Sequence, residues 1–168
     1  QRLGIIYDKK GKINEAIEHY EKGLIGTPSQ YVGIKVDLAR LYNLTKKYQN
    51  TVDLLKDVVP ETSKNTTAHI VLGTAFLGLG KTDEAIREFK IARNLEPQTE
   101  RGHFSLGIAY REKGNYRESV DELREVIKIK PNWPDGYHQL GETQFKMNEY
   151  ENAIKNYKKA QELGMDSN

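Results

Sequence analysis

The stretch that decides the fold is LGIAYREKGNYRESVDELREVI, residues 106–127, because its pattern of small, aromatic and aliphatic positions recurs along the chain. Aligned copies begin at leucines spaced by 35, 34, 34 and 34 residues: Leu3, Leu38, Leu72, Leu106 and Leu140. A pattern that returns at this period predicts a stack of similar structural units. The five predicted repeats span about 1–31, 32–65, 66–99, 100–133 and 134–167.

Each repeat predicts two helices that pack closely against one another. In residues 106–127 a small residue, Gly107, follows the leucine, and an aromatic, Tyr110, follows three places later. The second half carries Ser119, Leu123 and Val126, whose i, i+4, i+7 spacing marks one face of a helix. The small residue of the first helix is predicted to face the large one of the second. The small positions are Gly4, Ala39, Gly73, Gly107 and Gly141, and the large ones are Tyr20, Leu55, Phe89, Leu123 and Tyr157.

Glycine and proline mark the turns between these helices. Gly11, Gly80 and Gly114 fall between the two halves of their repeats, where a left-handed backbone conformation favours glycine. Proline cannot continue a helix. It ends three repeats, at Pro28, Pro97 and Pro131. Pro60 comes earlier in the second repeat, so the helix before it should be shorter.

A 34-residue helix–turn–helix with these positions resembles the tetratricopeptide repeat (TPR) family over the whole chain. The pentatricopeptide class, which uses units of about 35 residues to read RNA, is the nearest alternative. The period and the Leu-Gly, Ala and Pro positions favour the TPR family. The resemblance implies an all-α fold, a right-handed superhelical solenoid of antiparallel helix pairs that forms a single domain over residues 1–168, with the first helices lining a concave groove.

A second stripe runs along the first helices beside the one that packs on the second helix. Its members also follow the i, i+4, i+7 spacing, with Asp8 as its polar neighbour in the first repeat. The family resemblance implies that this groove stripe binds a protein or peptide segment, although its apolar members could instead pack against the adjacent repeat. Arginines in the stripe could grip a carboxylate. The groove stripe is Ile5, Val36, Arg40, Asn43, Ile70, Thr74, Leu77, Phe104, Ile108, Arg111, His138, Glu142 and Phe145.

No residue pattern predicts catalysis, a metal or a cofactor. The stretch LGLGKT, residues 77–82, resembles the end of a phosphate-binding loop, but the glycine required five residues before Gly80 is Ala75. His69 and His103 occupy the same position in adjacent repeats, about 10 Å apart if helices pack normally, which is too far to share a metal. The chain has no cysteine. We therefore expect a protein that is not an enzyme.

Charge and hydropathy narrow the classes of partner. The chain has 26 Lys and Arg against 24 Asp and Glu, a net charge of +2, and the two signs are interspersed. This pattern is typical of solvated helix faces and argues against nucleic-acid binding. No apolar run is long enough for direct membrane insertion. Two glycosylation sequons, at Asn43 and Asn65, matter only if the protein is exported.

The ends of the repeat array suggest a second hypothesis. Stacks of repeats usually need a polar cap, yet the sequence stops at GMDSN after the fifth repeat, and the first repeat lacks its opening residues. We expect either that the chain is part of a longer array or that it forms a homo-oligomer through its solenoid ends. In the second case it would be a structural subunit of a filament or large complex, because head-to-tail contacts that do not close propagate.

Overall fold

The computed structural model describes residues 2–25, 32–57, 59–60 and 63–165, so the predictions for Pro28 and the junction at Tyr31 lie outside the described residues. Within the described ranges the regular structure consists of ten α-helices, without a strand. These are α1 (Arg2–Lys9), α2 (Ile13–Leu24), α3 (Val32–Leu44), α4 (Tyr48–Leu55), α5 (Thr66–Gly78), α6 (Thr82–Leu95), α7 (Glu100–Lys113), α8 (Tyr116–Ile129), α9 (Pro134–Lys146) and α10 (Tyr150–Glu162). The predicted all-α fold of helix pairs is confirmed.

Small residues bring the two helices of a repeat into close contact, as the sequence predicts. A Cβ added at Gly107 on α7 would lie 2.6 Å from Cγ of Leu123 on α8. A Cβ at Gly141 on α9 would lie 2.9 Å from the ring of Tyr157 on α10. Distances this short are not tolerated between carbon atoms, so the absent side chain is what allows the helices to approach. The cost of a glycine inside a helix, about 1 kcal/mol relative to alanine, is offset by this contact.

The turn inside each repeat has one residue in the left-handed region. The predicted glycines adopt it, as Gly114 does with φ 86° at the end of α7. In the second and fifth repeats the same position holds Lys46 and Asn148, with φ of 58° and 62°. The turn geometry is therefore retained in repeats where the sequence does not supply a glycine.

The chain divides into two compact units, the first of which spans residues 1–81 and holds α1 to α5. One group of buried side chains lies between α2 and α3 and includes Tyr20 and Leu38. A second group joins α3, α4 and α5 and includes Ala39 and Leu72. The helix α3 thus contributes to both cores of this N-terminal unit.

The helix α4 is short, with 8 residues where α6 and α8 have 14 each. It ends at Leu55, ahead of Pro60, which agrees with the early end that the proline predicts. Val59 beyond the helix is still buried, with 4% of its surface exposed, and it packs in the second core of the N-terminal unit.

The C-terminal unit, residues 82–168, contains α6 to α10, and each helix contacts the next one along the chain. Its core includes Val120 and Leu123 from α8 and Leu140 from α9, so the second helix of one repeat packs on the first helix of the next. Phe104 on α7 is partly buried against this group.

A hydrogen bond between a side chain and a loop carbonyl recurs where one repeat leads into the next. The pairs are His69 Nε2 with Ser63 O (3.0 Å), His103 Nε2 with Pro97 O (3.2 Å) and Tyr137 Oη with Pro131 O (3.0 Å). The three side chains are spaced by 34 residues, as are the three carbonyls. The bond satisfies a backbone acceptor that no helix would otherwise pair, which gives the histidines a structural role.

Candidate functional site

The groove stripe in the N-terminal unit is partly buried by the unit's own helices. Val36 on α3 has only 5% of its surface exposed and belongs to the core shared with α5. Ile5 on α1 is 39% exposed, whereas Ile70 and Leu77 on α5 are half-buried. Thr74 is exposed, and its hydroxyl donates to the carbonyl of Ile70 (2.7 Å). The accessible apolar surface here comes from three aliphatic side chains rather than from the whole stripe.

Polar members of the stripe connect first helices of adjacent repeats. Arg40 on α3 forms an ion pair with Asp8 on α1. Asn43, one turn further along α3, donates from Nδ2 to the carbonyl of Val71 on α5 (2.8 Å), and its Oδ1 accepts from the hydroxyl of Thr51 (2.8 Å). These two side chains therefore hold α3 to the first helix on either side.

In the C-terminal unit the stripe combines aromatic, aliphatic and cationic groups. On α7 the ring of Phe104 lies 4.6 Å from that of Trp133, in a tilted arrangement. Ile108 is half-buried. Arg111, with 15% of its side chain exposed, donates from Nη1 to Oε1 of Gln139 on α9 (2.6 Å). An arginine carries five N–H donors, so a guanidinium held in this way retains donors for a second acceptor.

The part of the stripe on α9 is held by α10. The hydroxyl of Tyr157 donates to Oε1 of Glu142 (2.7 Å), and the ring of His138 lies 5.6 Å from the ring of Tyr157. Burial and this hydrogen bond raise the pKa of Tyr157 to about 12. Phe145 is 52% exposed and meets the edge of Tyr150. Glu142 is thus an anchored carboxylate, and Phe145 is the most accessible aromatic ring of the stripe.

Sequence reasoning missed the connecting role of Arg40, Asn43 and Arg111. Each bonds to a first helix of a neighbouring repeat, so its polar group acts within the chain as well as on the surface. The available signal was a polar residue at a position that is apolar in other repeats, such as Arg111 at the position of Leu77.

Both sequon asparagines take part in structural hydrogen bonds. The Asn43 nitrogen that would carry a glycan is the donor to Val71. Asn65 caps α5, and its Oδ1 accepts from the backbone N–H of Ala68 (3.0 Å). A glycan at Asn43 would therefore compete with the bond that joins α3 to α5, whereas the cap at Asn65 uses the oxygen and leaves its nitrogen out of that bond.

The described part of the chain was surveyed for chemistry beyond packing. There, three or more His, Asp or Glu side chains nowhere come together in a way that could hold a metal ion. Among the same residues, every buried side-chain nitrogen and oxygen has a hydrogen-bond partner. No helix that the structure describes combines the length and apolar character needed to cross a bilayer.

Helix pairs with a fixed small-to-large contact, a left-handed turn and a recurring loop bond define a helical-repeat solenoid protein. Family models place the repeats in the same class: a model described as TPR repeat matches residues 107–148, and models described as tetratricopeptide repeat match residues 134–163 and 1–24. The chain is a tetratricopeptide repeat protein.

Solved structures of other TPR proteins share this fold. A crystal structure of MamA is 25% identical, with a TM-score of 0.78, and the match covers 96% of this chain and 94% of that one. TTC0263, a thermophilic TPR protein in Thermus thermophilus, is 22% identical, with a TM-score of 0.81 over 97% and 89% of the two chains. MamA from Desulfovibrio magneticus RS-1 is 15% identical, with a TM-score of 0.83 over 99% and 94%. No curated protein sequence matches this chain.

The family defines a general role. TPR proteins bind proteins or peptides, and the fold typically serves as a non-catalytic scaffold for protein–protein interaction. The repeat period and the small-to-large pattern identified this class from sequence, and the family matches confirm it.

Proposed function

We propose that this protein is a non-enzymatic scaffold that binds a helical or extended protein segment along the groove stripe. The observation that carries the proposal is the composition of α7 in the stripe. Phe104 and Ile108 are half-buried apolar side chains, and Arg111 lies one turn beyond Ile108 on the same face. Amphipathic segments are recognised by this combination of apolar contact and a fixed polar group.

The energies are sufficient for a specific interaction. Complete burial of a large apolar side chain contributes about 1.5–3 kcal/mol, and a side chain that is already half-buried contributes less. Several such side chains and one charge-assisted arginine–carboxylate bond are therefore needed together. Phe104, Ile108 and Phe145 supply the apolar part, and Arg111 supplies the charge.

The test is affinity capture with a groove variant, I108A/R111A. The variant loses one aliphatic contact and one cation without touching the contact between Gly107 and Leu123 that joins α7 to α8. Proteins captured from the native source should be lost or strongly reduced with the variant and retained with the control R124A, which removes an exposed cation from α8. Equal capture by the groove variant, with circular dichroism showing it folded, would contradict the proposal.

A second candidate function, end-to-end assembly, is favoured by exposed apolar residues on α1 and α10. Leu3 is 54% exposed, whereas Leu38, its equivalent in the second repeat, is 2% exposed. Ile154 is 53% exposed, whereas Val120, its equivalent in the fourth repeat, is 7% exposed. The equivalents are covered by an adjacent helix of the chain. A second copy stacked on α1 or α10 would cover Leu3 and Ile154 in the same way.

Light scattering against concentration separates this candidate from the first. End-to-end stacking predicts a mass that rises with concentration, and I154K should abolish the rise because it places a charge in the contact. A strict monomer at high concentration would exclude self-stacking and leave the groove proposal unaffected.

A further inference from the structure

The two last repeats carry the same surface cleft with opposite charge. Each cleft has a volume of about 420 Å³ and lies beside one side chain of the first helix and several of the second. Four positions, each 34 residues apart, occur in both clefts: His103 and Tyr137, Asp121 and Lys155, Glu122 and Asn156, and Glu125 and Lys159. We call them cleft 4 and cleft 5, after their repeats.

Cleft 4 is occupied by a carboxylate of its own chain. Glu122, whose side chain is 12% exposed, accepts from Nη1 of Arg93 (2.6 Å) and pairs with Nδ1 of His103 (2.7 Å). The fold thus places an anion between a guanidinium and the side chain at the loop-bonding position of α7. This is an internal example of how the cleft binds a carboxylate.

Cleft 5 lacks that carboxylate and is lined by cations instead. Asn156 stands in place of Glu122, and its Nδ2 donates to Oε1 of Gln144 (2.6 Å), on α9. Lys155 and Lys158 are exposed and have no ion-pair partner in the described part of the chain. Lys159 pairs with Glu162 (3.1 Å). Two cations at this cleft are therefore not neutralised by the described residues.

The apolar part of cleft 5 is a fixed aromatic ring. The hydroxyl of Tyr137 donates to the carbonyl of Pro131 (3.0 Å), which restrains the ring at the edge of the cleft. Lysine side chains also present aliphatic stems below their charged ends. The cleft therefore offers an apolar wall beneath ammonium groups, an arrangement that suits an anionic group attached to an aliphatic or aromatic body.

From this charge complementarity we infer that cleft 5 is a second binding surface, which takes an acidic segment of a partner protein. An Asp or Glu carboxylate of the segment binds Lys155 and Lys158, and a neighbouring aliphatic or aromatic side chain lies against Tyr137. The partner's carboxylate occupies in cleft 5 the role that Glu122 has in cleft 4. Charge-assisted bonds of this kind depend on salt concentration where the groups are exposed.

This surface is separate from the groove stripe and goes beyond the proposed function. Tyr137 precedes the stripe residue His138, and successive residues point about 100° apart around a helix. The other lining residues lie on α10, which carries no member of the stripe. A partner could therefore occupy cleft 5 whether or not the groove is filled.

The experiment is a titration of the 15N-labelled protein with a blocked acidic peptide, GELEFG, followed by amide chemical shifts. Shift changes should concentrate on Tyr137 and on the segment Lys155–Glu162. The variant K155E/K158E should bind at least about tenfold more weakly, because two attractive contacts become repulsive. The matched control K64E/K81E carries the same charge change at exposed lysines outside the cleft and should bind like the parent.

Four outcomes would overturn the inference: no shift changes in cleft 5, equal binding of the neutral peptide GQLQFG, equal weakening by K64E/K81E, or tighter binding of a thymidine oligonucleotide than of the peptide. The last would identify a nucleic-acid surface. The groove variant I108A/R111A should bind the peptide normally. Loss of binding there would place the peptide in the groove and also overturn the inference, whereas failure of the titration alone would leave the groove proposal standing.

Discussion

At the scale of single residues, close helix contacts depend on side chains that are missing. Gly102 on α7 lies against the backbone of Arg93 on α6, where an added Cβ would be 2.6 Å from the Arg93 Cα. Backbone atoms cannot rotate away as a side chain can, so this contact sets the distance between the two helices. Gly33 on α3 is different, because an added Cβ would meet nothing within 4 Å.

These two glycines give a matched pair of substitutions. G102A should destabilise the protein by about 1–3 kcal/mol, because overpacking outweighs the better helix propensity of alanine. G33A should leave the stability unchanged or raise it by up to about 1 kcal/mol, because only the propensity changes. Thermal unfolding measured by circular dichroism checks both. A G102A protein as stable as the parent would contradict the account of this contact.

The sequence predicts single positions well where the repeat enforces them. Gly107 faces Leu123 and Gly141 faces Tyr157, as the alignment of small and large positions predicts. It does not predict that Lys46 and Asn148 adopt left-handed backbone conformations, because their side chains give no sign of it. Nor does it predict the bond from Arg111 to Gln139, since that pairing depends on side-chain conformations between two repeats.

At the scale of elements, each helix is fixed both by its partner within the repeat and by links to the next repeat. Glu100, the first residue of α7, accepts from Nζ of Lys130, which directly follows α8 (2.5 Å). Burial alone would raise the pKa of Glu100. The hydrogen bond from Lys130 and one from its own backbone outweigh burial, so the pKa lies below its ordinary value of 4.5.

The lowered pKa of Glu100 predicts how stability depends on pH. The carboxylate stabilises the folded state above pH 4.5, its unfolded pKa, and this contribution is lost as the pH falls through the lower folded value. E100Q should therefore reduce stability at pH 7, by less than about 1 kcal/mol for a partly exposed pair. The difference from the parent should shrink toward about pH 3.

Thermal unfolding of both proteins across this pH range measures the effect. E151Q, which neutralises an exposed glutamate that forms no ion pair in the described part of the chain, is the control. A difference between parent and E100Q that grew on acidification would show that the pair does not act as described.

At the scale of the whole molecule, the fold was predictable and the surface only partly so. The spacing of Leu3 to Leu140 is enough to predict an all-α repeat fold. That residues 1–168 form one continuous solenoid stays a prediction, since the structure describes two compact units. The groove stripe follows from helix geometry, but which members are accessible depends on tertiary packing, as buried Val36 and exposed Phe145 illustrate.

The whole-molecule account rests on the claim that the face of α7 carrying Ile108 contacts a partner protein. Photo-crosslinking tests this face directly, with a benzophenone amino acid placed at Ile108 in one protein and at Arg124 on α8 in another. We predict that a protein from the native source is crosslinked at position 108 and not at 124. The account would be contradicted by equal crosslinking at both positions, or by crosslinking at 124 alone.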